Sequence, residues 1–195
     1  MAQSRRDHLI ETALELFNDA GYHATGIDRI LAEAGVAKMT LYKHFKSKNE
    51  LILAALTRRD EHWLAWFRKA VERHARHHAD AGPRARLRAV FDALEDWLRT
   101  PSFNGCLFCK AAAEFPELND PIHAVAARHH RSLLAVLKEL AEDAGARRPA
   151  RLARELLLLM EGAISVTQVN GQVGATQAAA RAAEILIEAA LSPED

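Results

Sequence analysis

The chain has 195 residues, of which 49% are hydrophobic and 27% charged, enough to bury a sizeable core in one large or two small domains. Its 26 basic and 26 acidic side chains cancel, which excludes a protein drawn to nucleic acid or membrane by its overall charge and leaves that task to local charge. Two cysteines are too few for a disulfide framework.

Residues 1–8 are polar with no apolar run behind them, and the longest apolar run, 156–160, is too short to cross a bilayer. A cytoplasmic protein without membrane contact is expected. Ala, Leu, Arg and Glu dominate while Val, Ile, Thr and Tyr are scarce, which favours helices over strands.

In chain order, Ile10, Ala13, Leu14 and Phe17 follow the helical period behind a Ser4 cap, and Gly21 stops that helix. Thr25 is placed as the cap of a second helix with the stripe Ile27, Ile30, Leu31 and Ala34, ended by Gly35. A third short helix is expected over Lys38 to His44. Ser47 and Glu50 read as the capping box of a fourth, long helix running to about residue 78.

Gly82-Pro83 breaks the chain, and a helix is expected over 83–99. Asn104-Gly105 opens a helix closed by Pro116, with Cys106 in its first turn. Asp120-Pro121 starts another that Ala144-Gly145 ends. Pro149 begins a very apolar helix to about 171, and a last helix covers 175–191. The expectation is an all-α protein of about nine helices. Residues 1–47 are expected to form one group of short helices, joined by the long fourth helix to a bundle over 48–195.

The second helix, the turn at 34–37 and the third helix have helix-turn-helix proportions, with Gly35 supplying the left-handed turn residue. At about 100° per residue, Leu41 and Phe45 fall on one side of the third helix, at about 300° and about 340° from Lys38. Met39, Thr40, Lys43 and His44 occupy the opposite side, as a major-groove reader requires. Lys38, Lys43, Lys46 and Lys48 make residues 36–48 basic with no acid among them. Thr40 and Lys43 are the leading base-reading candidates, with Lys38 reaching a guanine edge or a phosphate. Tyr42, His44, Lys48 and Thr25 are placed against the phosphate backbone.

In the second half, Trp63, Trp66, Phe67, Phe91, Trp97, Phe103, Phe108 and Phe115 are the aromatic candidates for an apolar effector pocket. The effector candidates taken forward are Trp63, Trp66, Phe67, Phe91, Cys106, Cys109, His129 and Met160. Cys106 and Cys109 share a helix face three residues apart. They suit core packing, a thiol or electrophile sensor, or two ligands for a soft metal completed by His123, His129 or His130. His74, His77 and His78 read as solvated. No cofactor or resident metal is expected. A helical thiol oxidoreductase is the competing reading, but no strand, phosphate loop or Ser/His/Asp order accompanies the cysteines.

The run Ala34-Gly35-Val36-Ala37-Lys38-Met39-Thr40-Leu41-Tyr42-Lys43-His44-Phe45-Lys46-Ser47-Lys48, within a match over about residues 4–56, resembles the DNA-binding domain of the tetracycline-repressor (TetR/AcrR) family. The resemblance implies an all-helical homodimer whose N-terminal domain reads a palindromic double-stranded operator and whose bundle binds a small-molecule effector. It implies DNA contacts at Thr25, Lys38, Thr40, Tyr42, His44 and Lys48, and dimerisation through the last two helices, about 149–191. Two positions depart from the family pattern: Ala37 stands where serine is common, and Met39 where glycine is usual. The implied function is a transcriptional repressor released by a small-molecule or redox signal.

Overall fold

The computed structural model describes residues 4–78, 82–171 and 174–192, and these are all helix, turn and loop, with nine helices. Helix α1 (Arg5–Ala20) starts where the Ser4 hydroxyl accepts the Asp7 amide at 3.1 Å. It ends at Gly21, whose φ of 83° suits glycine. Helix α2 (Ile27–Ala34) ends at Gly35 in the left-handed conformation, its amide bonded back to Leu31 and Ala32. Helix α3 spans Lys38–His44.

Helix α4 (Lys48–Ala75) starts at Ser47, whose hydroxyl accepts the Glu50 amide at 3.2 Å. The return bond of that box goes one residue further than expected, from the Lys46 amide to Glu50 at 2.6 Å. Helix α4 also ends earlier than the expected residue 78, because His77 and His78 bond back only three residues, to His74 and Ala75, and tighten the turn.

Prolines then mark helix starts. Helices α5 (Pro83–Leu98) and α8 (Pro149–Asn170) each carry proline in the first turn, where its missing N–H costs nothing. In α7 (Pro121–Asp143), the Asp120 carboxylate accepts the Ile122 amide at 2.7 Å. Helix α6 covers Leu107–Glu114 and α9 covers Ala175–Leu191. Cys106 is the N-cap of α6, just ahead of the first turn expected for it.

The chain divides into two compact units, Met1–His62 with Cys106–His129, and Trp63–Gly105 with His130–Asp195. In the first unit α1, α2 and α3 pack on one another around Ile10, Phe17, Ile30, Leu41 and Phe45, all nearly inaccessible. In the second, α5, α8 and α9 pack together, and Arg88 of α5 reaches Glu184 of α9 at 2.6 Å and Glu188 at 3.1 Å. Of the three histidines expected to be solvated, His74 pairs with Asp96 and His78 with Asp92, each at 2.7 Å, while His77 is exposed and bonds to the Arg73 carbonyl.

The N-cap of α3 has a consequence for stability. Ala37 has the extended backbone of a cap (φ −70°, ψ 149°) but gives no side-chain bond to the helix. Replacing Ala37 with serine supplies that bond and is expected to add about 1 kcal/mol. In a chain of this size that raises the melting temperature by roughly 2–4 °C, readable by calorimetry; an unchanged or lower melting temperature would refute the cap account.

Candidate functional site

Helix α3 is anchored on one side and open on the other. Leu41 and Phe45 are 0% and 1% exposed, and the Arg6 guanidinium lies over the Phe45 ring, 5.3 Å from its centre. Lys38, Met39, Tyr42 and Lys43 are exposed, and Thr40 and His44 half-buried. Met39, at 84% exposure, is the most open of the large apolar side chains among the described residues. Lys38 stands 3.9 Å from Asp28 at the start of α2. In solution this pair is weak, and the lysine can turn from it to a phosphate.

Thr25 departs from its expected role. The N-cap of α2 is Gly26. Thr25 is fully buried, and its hydroxyl donates to the backbone carbonyls of Leu16 at 3.2 Å and Gly21 at 2.7 Å. That hydroxyl therefore fastens the α1–α2 turn and faces away from solvent. With the whole residue out of reach of solvent, Thr25 has no surface left for a phosphate. Lys48 is half-buried, and its ammonium donates to the His23 carbonyl at 3.4 Å. Burial pulls its pKa below the usual lysine range, while the nearby Glu114 charge opposes that shift.

The α1–α2 turn is held by a set of bonds that no local sequence pattern announces. Glu114, the last residue of α6, accepts the backbone amides of Tyr22 at 2.9 Å and His23 at 2.5 Å. The Tyr22 hydroxyl donates to the Leu107 carbonyl at 2.9 Å, and the Lys110 ammonium to the Asn18 carbonyl at 2.7 Å. Tyr22 is almost wholly buried between Phe17 and Phe115. Burial first, and then the charges of Cys106 and Glu114, push its phenol far above the usual tyrosine range. A Cβ on Gly21 would stand 2.7 Å from the Glu114 carboxylate, in a backbone conformation that already favours glycine.

The eight residues expected to line an effector pocket fall in both units. In the second unit, Trp63 stacks on Phe67 with ring centres 5.0 Å apart and lies 6.2 Å from Trp66. Trp97 meets Trp63 edge-on at 5.4 Å. Phe91 and Met160 are buried. In the first unit, His129 is buried, bonded through Nδ1 to Asp60 at 2.7 Å and stacked on Phe108 at 3.7 Å. Cys106 is buried and Cys109 exposed, with their sulfur atoms within 4.8 Å of each other. His123 bonds through Nδ1 to the Phe115 carbonyl at 2.8 Å. Among the described residues, no helix is long and apolar enough to cross a membrane.

Known proteins are similar to this chain in sequence and fold. The model for bacterial regulatory proteins of the tetR family matches residues 9–55, and that for the tetracyclin repressor-like C-terminal domain matches 83–183. FasR, an HTH-type transcriptional activator of Mycolicibacterium smegmatis, is 41% identical over 98 residues, 50% of this chain and 42% of FasR. NemR, an HTH-type transcriptional repressor of Escherichia coli K12, is 26% identical over 139 residues, 71% of this chain and 67% of NemR. The match to FasR thus spans less than half of that relative's length. A solved TetR-family regulator from Streptomyces coelicolor superposes with a TM-score of 0.85 at 31% identity, covering 96% of each chain. The reduced form of E. coli NemR gives 0.78 at 21% identity, covering 94% of this chain and 96% of that one, a likeness of fold.

Proposed function

Because the chain belongs to the TetR family of bacterial regulatory proteins, we propose that α3 is its recognition helix, read out through Lys38, Met39, Thr40 and Lys43. The protein is a DNA-binding transcriptional regulator. The observation that carries the assignment of α3 is its division between a buried side, Leu41 and Phe45, and an open side of cationic and hydrogen-bonding groups. Tyr42, His44 and Lys48 hold the flanking phosphates. Residues 1–47 are the DNA-binding domain, and 48–195 bind an effector and dimerise. The protein acts in the cytoplasm, on a palindromic operator.

The partner is a second copy of this chain, docked through α8 and α9. What supports this is the apolar surface those helices leave open: Leu158 is 72% exposed, Val169 77% and Ile185 71%. Two heads related by a twofold axis then meet two half-sites about one DNA turn apart, or slightly more. The action is repression, relieved when a small molecule or an oxidant favours the state with lower DNA affinity. Among the named relatives NemR is a repressor and FasR an activator, so a promoter fusion assayed with and without the protein decides the sign. Expression that rises when the protein is supplied would overturn repression.

Operator selection from random DNA, followed by binding across a salt series, tests the assignment of α3. Lys43→Ala is expected to lose about 1–3 kcal/mol at one base position and relax the preference there. Lys48→Ala is expected to weaken all sequences alike and reduce the salt slope by about one. Equal, sequence-independent losses in both variants would remove α3 from the groove.

A further inference from the structure

We propose that Cys106 and Cys109 form a two-electron redox site that hydroperoxides oxidise to a disulfide, and that closing this disulfide loosens the protein's hold on DNA. The inference rests on the DNA-binding reading above and adds the identity of the signal and its point of entry.

The two thiols occupy the N-cap and third position of α6. That spacing turns the N-cap side chain over the third residue, as Ser47 is turned over the Glu50 amide on α4. It accounts for the sulfur atoms lying within 4.8 Å of each other. Cys106 makes no capping bond through its side chain. Both positions face the positive N-terminus of α6, which favours thiolate over thiol.

Exposure assigns the roles. Cys109, the exposed thiol, attacks the terminal oxygen of a hydroperoxide as thiolate. The O–O bond breaks, the alcohol or water leaves, and Cys109 becomes a sulfenic acid. The buried Cys106 thiolate then attacks the Cys109 sulfur. The S–O bond breaks, the oxygen leaves as water with one proton, and the S–S bond forms. In sum, two thiols and one hydroperoxide give one disulfide, one alcohol or water, and one water. The cysteines lose two electrons and the peroxide gains them. A thiol reductant reverses the change.

The link to DNA is set by which residues adjoin the cysteines. Leu107, next to Cys106, carries the carbonyl that accepts the Tyr22 hydroxyl. Lys110, next to Cys109, carries the ammonium bound to the Asn18 carbonyl. The first bond ends on the α1–α2 turn, whose Tyr22 and His23 amides Glu114 also holds, and the second on the last turn of α1, just ahead of it. Drawing the sulfurs to bonding distance, about 2.05 Å, reorients the peptide units at 106–107 and 109–110. The change therefore reaches the turn that sets α2, and with it α3.

The test uses the full-length protein and an operator fragment selected with the reduced form. Each protein is treated with cumene hydroperoxide, then assayed by intact mass, alkylation count and operator binding. The wild type is expected to lose 2 Da and two alkylatable thiols, to bind at least tenfold more weakly, and to recover on reduction. Cys109→Ser and Cys106→Ala should bind the operator when reduced, form no disulfide and keep their affinity after peroxide, Cys106→Ala gaining oxygen at Cys109 instead of losing 2 Da. Tyr22→Phe should form the disulfide yet show a smaller change in affinity, since a bond linking the turn to α6 is gone. Two alkylatable thiols after peroxide, or a metal shielding both before it, would overturn the site. A disulfide that forms with unchanged affinity would overturn the coupling. Absence of operator binding by every reduced protein would instead strike at the DNA-binding reading.

Discussion

Replacing Leu158 with glutamate is expected to make the protein monomeric and to lower its operator affinity by about a hundredfold or more. Leu158 is 72% exposed on α8, and Ile185 71% exposed on α9, the helix packed beside it. Because both side chains are already open in one chain, the substitution leaves the protomer's own core intact. In a twofold interface, however, each substitution occurs twice, and two carboxylates would be driven into an apolar seam. Several kcal/mol for each unpaired buried charge outweighs the contribution of the leucines themselves. A monomer brings one head to DNA, and half the phosphate contacts are lost. A hundredfold loss corresponds to about 2.8 kcal/mol, well below the price of two buried charges. Sedimentation and titration of an operator fragment measure both effects. A Leu158→Glu protein that stays dimeric and binds normally would move the interface off α8 and α9.

Phe45→Ala is the second large effect, and it acts on folding. Phe45 is 1% exposed, caps the end of α3 through its amide to the Leu41 carbonyl, and lies beneath Arg6. Truncating a buried phenylalanine costs about 3–5 kcal/mol, a large share of the stability of any domain. The damage is expected to be local. Trp63, Trp66 and Trp97 all belong to the other unit, so their fluorescence should change little while amides in residues 5–45 lose protection from hydrogen exchange. DNA binding should fall with that protection. Protection lost equally in α8 and α9 would show that the two units unfold as one.

These expectations could be framed because the sequence marks its helix ends with residues whose chemistry is local. Ser4, Gly21, Gly35, Ser47, Pro83, Pro121 and Pro149 each act within four residues of themselves, and each boundary was legible from them. The buried and open sides of α3 were legible for the same reason, since a fixed helical period sorts its residues. What could not be read depends on parts of the chain far apart. Thr25 has the chemistry of a cap, yet the Leu16 and Gly21 carbonyls take its hydroxyl inward. Glu114 looks like an ordinary helix-end acid until its carboxylate meets amides more than ninety residues earlier. The buried pair of His129 and Asp60 is 69 residues apart in sequence and likewise left no local trace.

The zero net charge has a consequence for how the protein finds its operator. At physiological salt, attraction between exposed charges fades over about 8 Å. A balanced molecule gains little from a chromosome at a distance. On the proposed reading of α3, its lysines at 38, 43, 46 and 48 would act only close to the groove, and the acids of α1 are partly neutralised by Arg58 bonded to Asp7 and Glu11. Arbitrary sequence, offered at about a million to a billion competing positions, therefore holds each copy only briefly. If α3 reads an operator as proposed, weak competition from other DNA would let few copies keep that operator occupied.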